Sequence, residues 1–286
     1  MHLRPLLSAL ALAHLSALAA APLDDAIALY DAKRYPEARA ALEKLTAAEP
    51  TNAAAAHQLG LTLLLRGDTN ALKDAVPWLA KAAELEPTNS TYLADFGGPC
   101  MQLADKTNSL SGATRGRDAM LKAIELNPNN LDAREGVMQF FAQAPWPIGS
   151  SVKAAAQADE IAKRDPARGF LAQVTLKTSA KKYAEASALC ETYLKTNPDA
   201  YTALYQIGKF AAITGENLNR GLVTLRRCLE LTPPENFPGH AGVRYRMGVI
   251  MEKKGDKPAA REAYEAALKL DPAMKQAAAA LAKLTP

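Results

Sequence analysis

The 286-residue chain is predicted to be all-α, an array of helical hairpins stacked side by side. Three observations carry this. Alanine and leucine dominate a composition that is 49% hydrophobic but only 6% aromatic, with few β-branched runs, which favours helix and argues against a sheet. The stretch from Ala241 to Pro272 reads as one complete hairpin. Its plan recurs along the chain, and Lys182-Tyr183-Ala184-Glu185-Ala186 echoes Arg34-Tyr35-Pro36-Glu37-Ala38.

Within 241–272, one helix is expected from about Ala241 to Lys254, broken by Gly255-Asp256. A second runs from Pro258 to Leu270 and stops at Pro272. Gly248 lacks a Cβ, so a neighbouring helix can pass close to it. Ala260 and Ala267 lie two turns apart on one face, with Tyr264 between them to fill the gap that small residues leave. Pro258 suits the first helical turn, where a missing N–H costs little. Asp271-Pro272 marks the exit, because the residue before proline avoids the helical region. Such a pair cannot bury its apolar faces alone, so one good unit predicts neighbours.

The spacing Met247-Gly248, Ala260, Tyr264, Ala267, Pro272 resembles the tetratricopeptide repeat (TPR). The resemblance implies a right-handed superhelical solenoid of about seven TPR-like helix-turn-helix repeats with a C-terminal capping helix. The units are expected at 23–50, 53–87, 90–128, 131–166, 167–198, 201–233 and 241–272, within a repeat domain over 22–286, with the cap at 273–284. Leu59-Gly60, Ala75, Leu79, Ala82 and Pro87 mark the second unit clearly, and Ile207-Gly208, Gly221, Leu225, Cys228 and Pro233 the sixth. Phe96-Gly97, Gly116, Met120, Ala123 and Pro128 mark the third, whose inter-helix segment, Asp105 to Thr114, reads as a long polar loop. The fourth is irregular: two prolines flank Trp146, and Ser150 or Ser151 is placed to cap the helix that follows. Trp146 is either a loop contact for a partner or a plug folded back on the array.

Residues 1–20 read as a secretory signal peptide. Arg4 gives a basic start, Leu6 to Leu18 is largely apolar, and Ala17-Leu18-Ala19 supplies a cleavage pattern with the cut after Ala19 or Ala20. The expectation is therefore an exported, periplasmic or secreted protein, or a cytoplasmic one if the N-terminus stays uncleaved. No other apolar run reaches the ~18 residues a membrane span needs.

Little in the chain could carry chemistry. Two of the four histidines lie in the signal, leaving His57 and His240 in distant units, which excludes most histidine triads and zinc sites. No nucleophile elbow, phosphate-cradling loop or paired-histidine zinc motif is present. No enzyme, metal or cofactor is expected. Cys190 and Cys228 fall on adjacent units and could be bridged or could pack free as small hydrophobes; the sequence leaves both open. A net charge of +4 with alternating signs, and no basic cluster with interleaved aromatics, argues against a nucleic-acid partner.

The resemblance places binding on the concave face, lined by the first helix of each repeat. His57, Gln139, Tyr205, Lys209 and Tyr245 are the residues expected to hold a protein or peptide partner there. Some TPR groups grip a C-terminal carboxylate with paired lysines and asparagines; only Lys209 fits that pattern, so the resemblance does not extend to the clamp. The function expected is a non-enzymatic protein-binding scaffold. The alternatives are a self-associating component of an envelope assembly, which would be a homo-oligomer, or an accessory subunit of an enzyme complex.

Overall fold

The computed structural model describes residues 22–145, 147–235 and 237–284. The signal peptide expected at 1–20 and the side chain of Trp146 lie outside the described residues. Among the described residues every regular element is an α-helix. They fall into two units, divided between Arg164 and Asp165.

The first unit holds α1 (22–31), α2 (Tyr35–Ala48), α3 (Ala53–Leu64), α4 (Thr69–Leu85), α5 (Ser90–Thr107), α6 (Leu110–Leu126), α7 (Leu131–Gln143) and α8 (Ser151–Arg164). The second holds α9 (Pro166–Ser179), α10 (Tyr183–Leu194), α11 (Tyr201–Thr214), α12 (Leu218–Glu230), α13 (His240–Lys253), α14 (Lys257–Leu270) and α15 (Lys275–Leu284). Within each unit, consecutive helices pack as antiparallel hairpins and each hairpin packs on the next.

A recurring device starts the first helix of a hairpin. A proline ends the preceding helix, and two residues later a polar side chain accepts from the new helix's free N–H groups. Asn52 accepts from Ala55 N at 2.9 Å, Asn89 from Tyr92 N at 3.2 Å and Asn130 from Ala133 N at 3.0 Å. Second helices are capped too, by Asp68 on Ala71 N and Ser109 on Gly112 N. Ser109 corrects the expected long loop at 105–114. α5 continues to Thr107 and α6 begins at Leu110, so the connection is a tight turn with Asn108 in the left-handed region at φ 52°. The polar residues there line exposed helix faces, which a polarity count cannot tell from a loop. Ser150 caps α8 through Lys153 N at 3.2 Å.

The cores run continuously through successive hairpins. In the second unit Val174, Cys190, Ile207, Leu225, Cys228, Val243 and Ile250 form one buried cluster. In the first, Leu42, Leu59, Leu79 and Phe96 form another, with Met120, Ala133 and Val137 in a third. A bulky residue of the second helix sits on the glycine of the first. A Cβ on Gly60 would stand 2.6 Å from Leu79, and one on Gly208 2.3 Å from Leu225. All three cysteines are free and buried. Cys100 Sγ donates to Gly112 O at 3.4 Å and Cys228 Sγ to Tyr201 O at 3.8 Å.

Candidate functional site

The sequence-expected residues separate into those the packing consumes and those it leaves open. In the first unit, His57 of α3 is tied to α5. Its Nε2 lies 2.7 Å from Asp95 Oδ2, and its ring stacks on Tyr92 at 4.4 Å. With a side chain 14% exposed, His57 joins two hairpins and offers little to a partner. Gln139 of α7 is exposed.

Gln139 lines a cavity of about 770 Å³ between α5, α6, α7 and the turn after α7. That volume falls in the range of ordinary ligand sites. Met101, Met120, Phe140 and Ile148 contribute its apolar surface. Gln102, Gln139 and Gln143, all exposed, bring carboxamides to it from α5 and α7. Asp105, Asp132 and Glu135 make its charged lining mainly acidic, against Lys106. Small residues open the space. A Cβ on Gly136 would stand 2.1 Å from Met120 Sδ, and one on Gly97 2.6 Å from Met120 Cγ, so the methionine reaches between α5 and α7 only because both positions are bare. The turn is held shut by Ser150 N donating to Phe141 O at 2.8 Å and Gly149 N to Pro145 O at 2.9 Å. The Arg117 guanidinium stands 5.3 Å over the Phe140 ring and fixes one wall.

In the second unit, Tyr205 is not a surface residue. It is 5% exposed, and its ring meets Phe237 edge-on at 5.5 Å. The proline-rich linker after α12 folds back onto α11, anchored by the Tyr201 hydroxyl donating to Pro238 O at 2.7 Å. That long-range contact buries a tyrosine whose helical spacing alone pointed outward. Tyr245 is half-buried, tilted against Tyr264 at 5.9 Å. Tyr264 is fully buried, and its hydroxyl donates to Glu252 Oε2 at 2.8 Å. Burial and then that carboxylate hold the Tyr264 hydroxyl well above its ordinary pKa.

Lys209 is half-buried on α11. Burial, then the nearby Arg246 guanidinium of α13, push its pKa down. Sequence reasoning missed Arg246, because only packing shows that α13 brings it near Lys209 of α11. Among the described residues no group of three or more His, Cys, Asp or Glu side chains could hold a metal ion, and no helix is long and apolar enough to cross a membrane.

Residues 241–274 match the family model of the tetratricopeptide repeat. No curated protein sequence matches the chain. Among solved structures the chain is similar to a tetratricopeptide repeat protein from Parabacteroides merdae, 15% identical over 94% of this chain and 99% of that one, with a TM-score of 0.68. It is similar to the human IFIT1 dimer with m7Gppp-AAAA, 16% identical, covering 92% of this chain and 61% of that one, TM-score 0.57. It is also similar to PilW, described as a widely conserved type IV pilus biogenesis factor, 14% identical, covering 82% of this chain and 99% of that one, TM-score 0.51. At these identities the likeness is one of fold. The shared fold is an array of paired helices. The matched repeat is formed by α13 and α14.

Proposed function

We propose that the chain is a non-enzymatic protein-binding scaffold that holds an extended peptide of its partner in the cavity between α5, α6 and α7. The observation that carries this reading is the pairing of an apolar floor with carboxamides on two helices. Met101, Met120 and Phe140 suit an inserted apolar side chain. Gln102, Gln139 and Gln143 each offer a donor and an acceptor, which is what a strand of peptide backbone needs on either side of that side chain. The acidic lining supports a peptide over a nucleic acid, since Asp105, Asp132 and Glu135 repel phosphate.

Selection of a random peptide library on the immobilised protein, followed by fluorescence anisotropy of the selected peptides, tests the reading. Selected peptides are expected to share an apolar anchor and to bind Gln139→Ala/Gln143→Ala at least tenfold more weakly. Both positions are exposed, so the fold is unaffected. Peptides that bind the double variant with unchanged affinity, or a short RNA that binds as well as they do, overturn it.

Export is part of the same proposal. Its support is the basic, apolar and small-residue order of residues 1–20. N-terminal sequencing of the protein from its native host is expected to begin at Ala20 or Ala21, and an intact Met1 refutes it.

A further inference from the structure

Three acids line the cavity between α5, α6 and α7, and they are not equivalent. Asp132 and Glu135 of α7 each interact with another group of the chain. Asp105 of α5 has a side chain 81% exposed, and its ionic contact among the described residues is with its own neighbour, Lys106, at 3.9 Å. That separation is too long for a hydrogen bond.

The place of Asp105 is also costly. α5 ends at Thr107, so Asp105 stands in the last turn, at the negative end of the helix dipole and among carbonyls that no N–H of the helix satisfies. An acid there destabilises the folded chain, and a cation brought to it relieves the cost. Glu252, in the last turn of α13, is put to use within its hairpin, where it accepts from the Tyr264 hydroxyl at 2.8 Å. Asp105 has no such use among the described residues.

Helix geometry sets what can reach it. The α7 lining runs from Asp132 to Gln143, about 16 Å along the axis, so the long direction of the cavity follows the helices. Met101 reaches into the space between them: a Cβ on Gly136 would stand 3.5 Å from its Cε. Met101 and Asp105 lie four residues apart on one face of α5, about 6 Å along its axis. An extended peptide rises about 3.3 Å per residue and turns alternate side chains to one face. With an apolar side chain seated on Met101, the residue two positions away stands over Asp105 on the same side. A residue one position away points to the opposite side.

We infer that the peptide proposed to fill this cavity carries a lysine or arginine two residues from its apolar anchor, held by Asp105, an assignment that rests on that proposal. Asp105 then determines specificity, while Met101 and the glutamines supply affinity that does not depend on charge.

A display library of heptapeptides tests this on the whole chain. Leucine is fixed at the centre, and the six flanking positions are drawn from Gly, Ser, Gln, Lys and Glu, so that leucine is the one apolar anchor. Lysine is expected to be enriched, and glutamate depleted, at one of the two positions two residues from the leucine. On Asp105→Lys the same position is expected to enrich glutamate instead. By fluorescence anisotropy the enriched lysine peptide is expected to bind Asp105→Asn roughly three- to fivefold more weakly, the size of an exposed ion pair. That difference is expected to vanish at about 1 M salt, where the Debye length is near 3 Å. Asp105→Asn is expected to melt no lower than the unsubstituted protein, which separates lost recognition from misfolding. Lysine enriched only at other positions, an unchanged preference on Asp105→Lys, or a lower melting temperature for Asp105→Asn overturns the inference and leaves the peptide site standing. A library from which no peptide is enriched overturns both.

Discussion

Tyr264 of α14 lies against Gly248 of α13 so closely that a Cβ at position 248 would stand 2.4 Å from the ring's Cε1. The ring cannot step aside, because it is fully buried and its hydroxyl is held by Glu252. Gly248→Ala therefore forces the two helices of the hairpin apart. Overpacking of this kind costs about 1–3 kcal/mol. Urea unfolding followed by far-UV circular dichroism is expected to show the loss, and an unchanged midpoint would mean that the helices do not meet here. Gly208→Ala, against Leu225 at 2.3 Å, is expected to behave in the same way.

This contact explains how much was legible beforehand. A bare position on one helix and a bulky one on the next, at fixed separation, encode a helix–helix approach within a single hairpin, so the hairpin at 241–272 could be read from its letters. Contacts between more distant segments have no such encoding. Asp95 lies 38 residues from His57, and Pro238 lies 37 from Tyr201. Helical spacing placed His57, Tyr205 and Tyr245 on a binding face; packing with distant segments withdrew Tyr205 and tied down His57, while Tyr245 is half-buried beside Tyr264 of its own hairpin. Gln139 stays exposed on α7, whereas Lys209 is half-buried on α11. Pro77 and Pro99 lie inside α4 and α5, where proline would be read as a break.

Tyr205 accordingly becomes a residue of stability. Tyr205→Ala removes a ring that is 5% exposed and packs against Phe237. The expected loss is about 3–5 kcal/mol, as for other large-to-small core changes. Peptides selected on the first unit's cavity are expected to bind this variant with unchanged affinity at temperatures where it stays folded. A binding defect without a stability defect would restore Tyr205 to the surface.

His57 and Asp95 connect successive hairpins of the first unit through a 2.7 Å contact. Their effects on stability should not add. A double-mutant cycle with His57→Ala and Asp95→Ala is expected to return a coupling of about 0.5–1 kcal/mol, at the low end for contacting residues because Asp95 remains 33% exposed. Strict additivity would show that the pair is not formed in solution.

The cysteines give the array an alkaline limit. Cys190 and Cys228 are fully buried, and burial pushes both thiols up from 9.0 to about 12. Above pH 9 the unfolded chain releases these protons while the folded chain keeps them. The stability present below pH 9 is therefore lost as pH rises through the folded values, at about 1.4 kcal/mol per pH unit for each thiol once it is ionised in the unfolded chain. Tyr201 and Tyr264, whose hydroxyls are also raised by burial, add to the loss above pH 10. Unfolding midpoints measured from pH 8 to 11 are expected to fall steeply, and Cys190→Ala/Cys228→Ala to flatten the curve between pH 9 and 10 while lowering its plateau. The same burial makes the native thiols inert: iodoacetamide at pH 8 is expected to label Cys190 and Cys228 in urea and to leave them unlabelled in buffer. Rapid labelling of the folded protein would show that the helices carrying them, α10 and α12, open far more often than their packing implies.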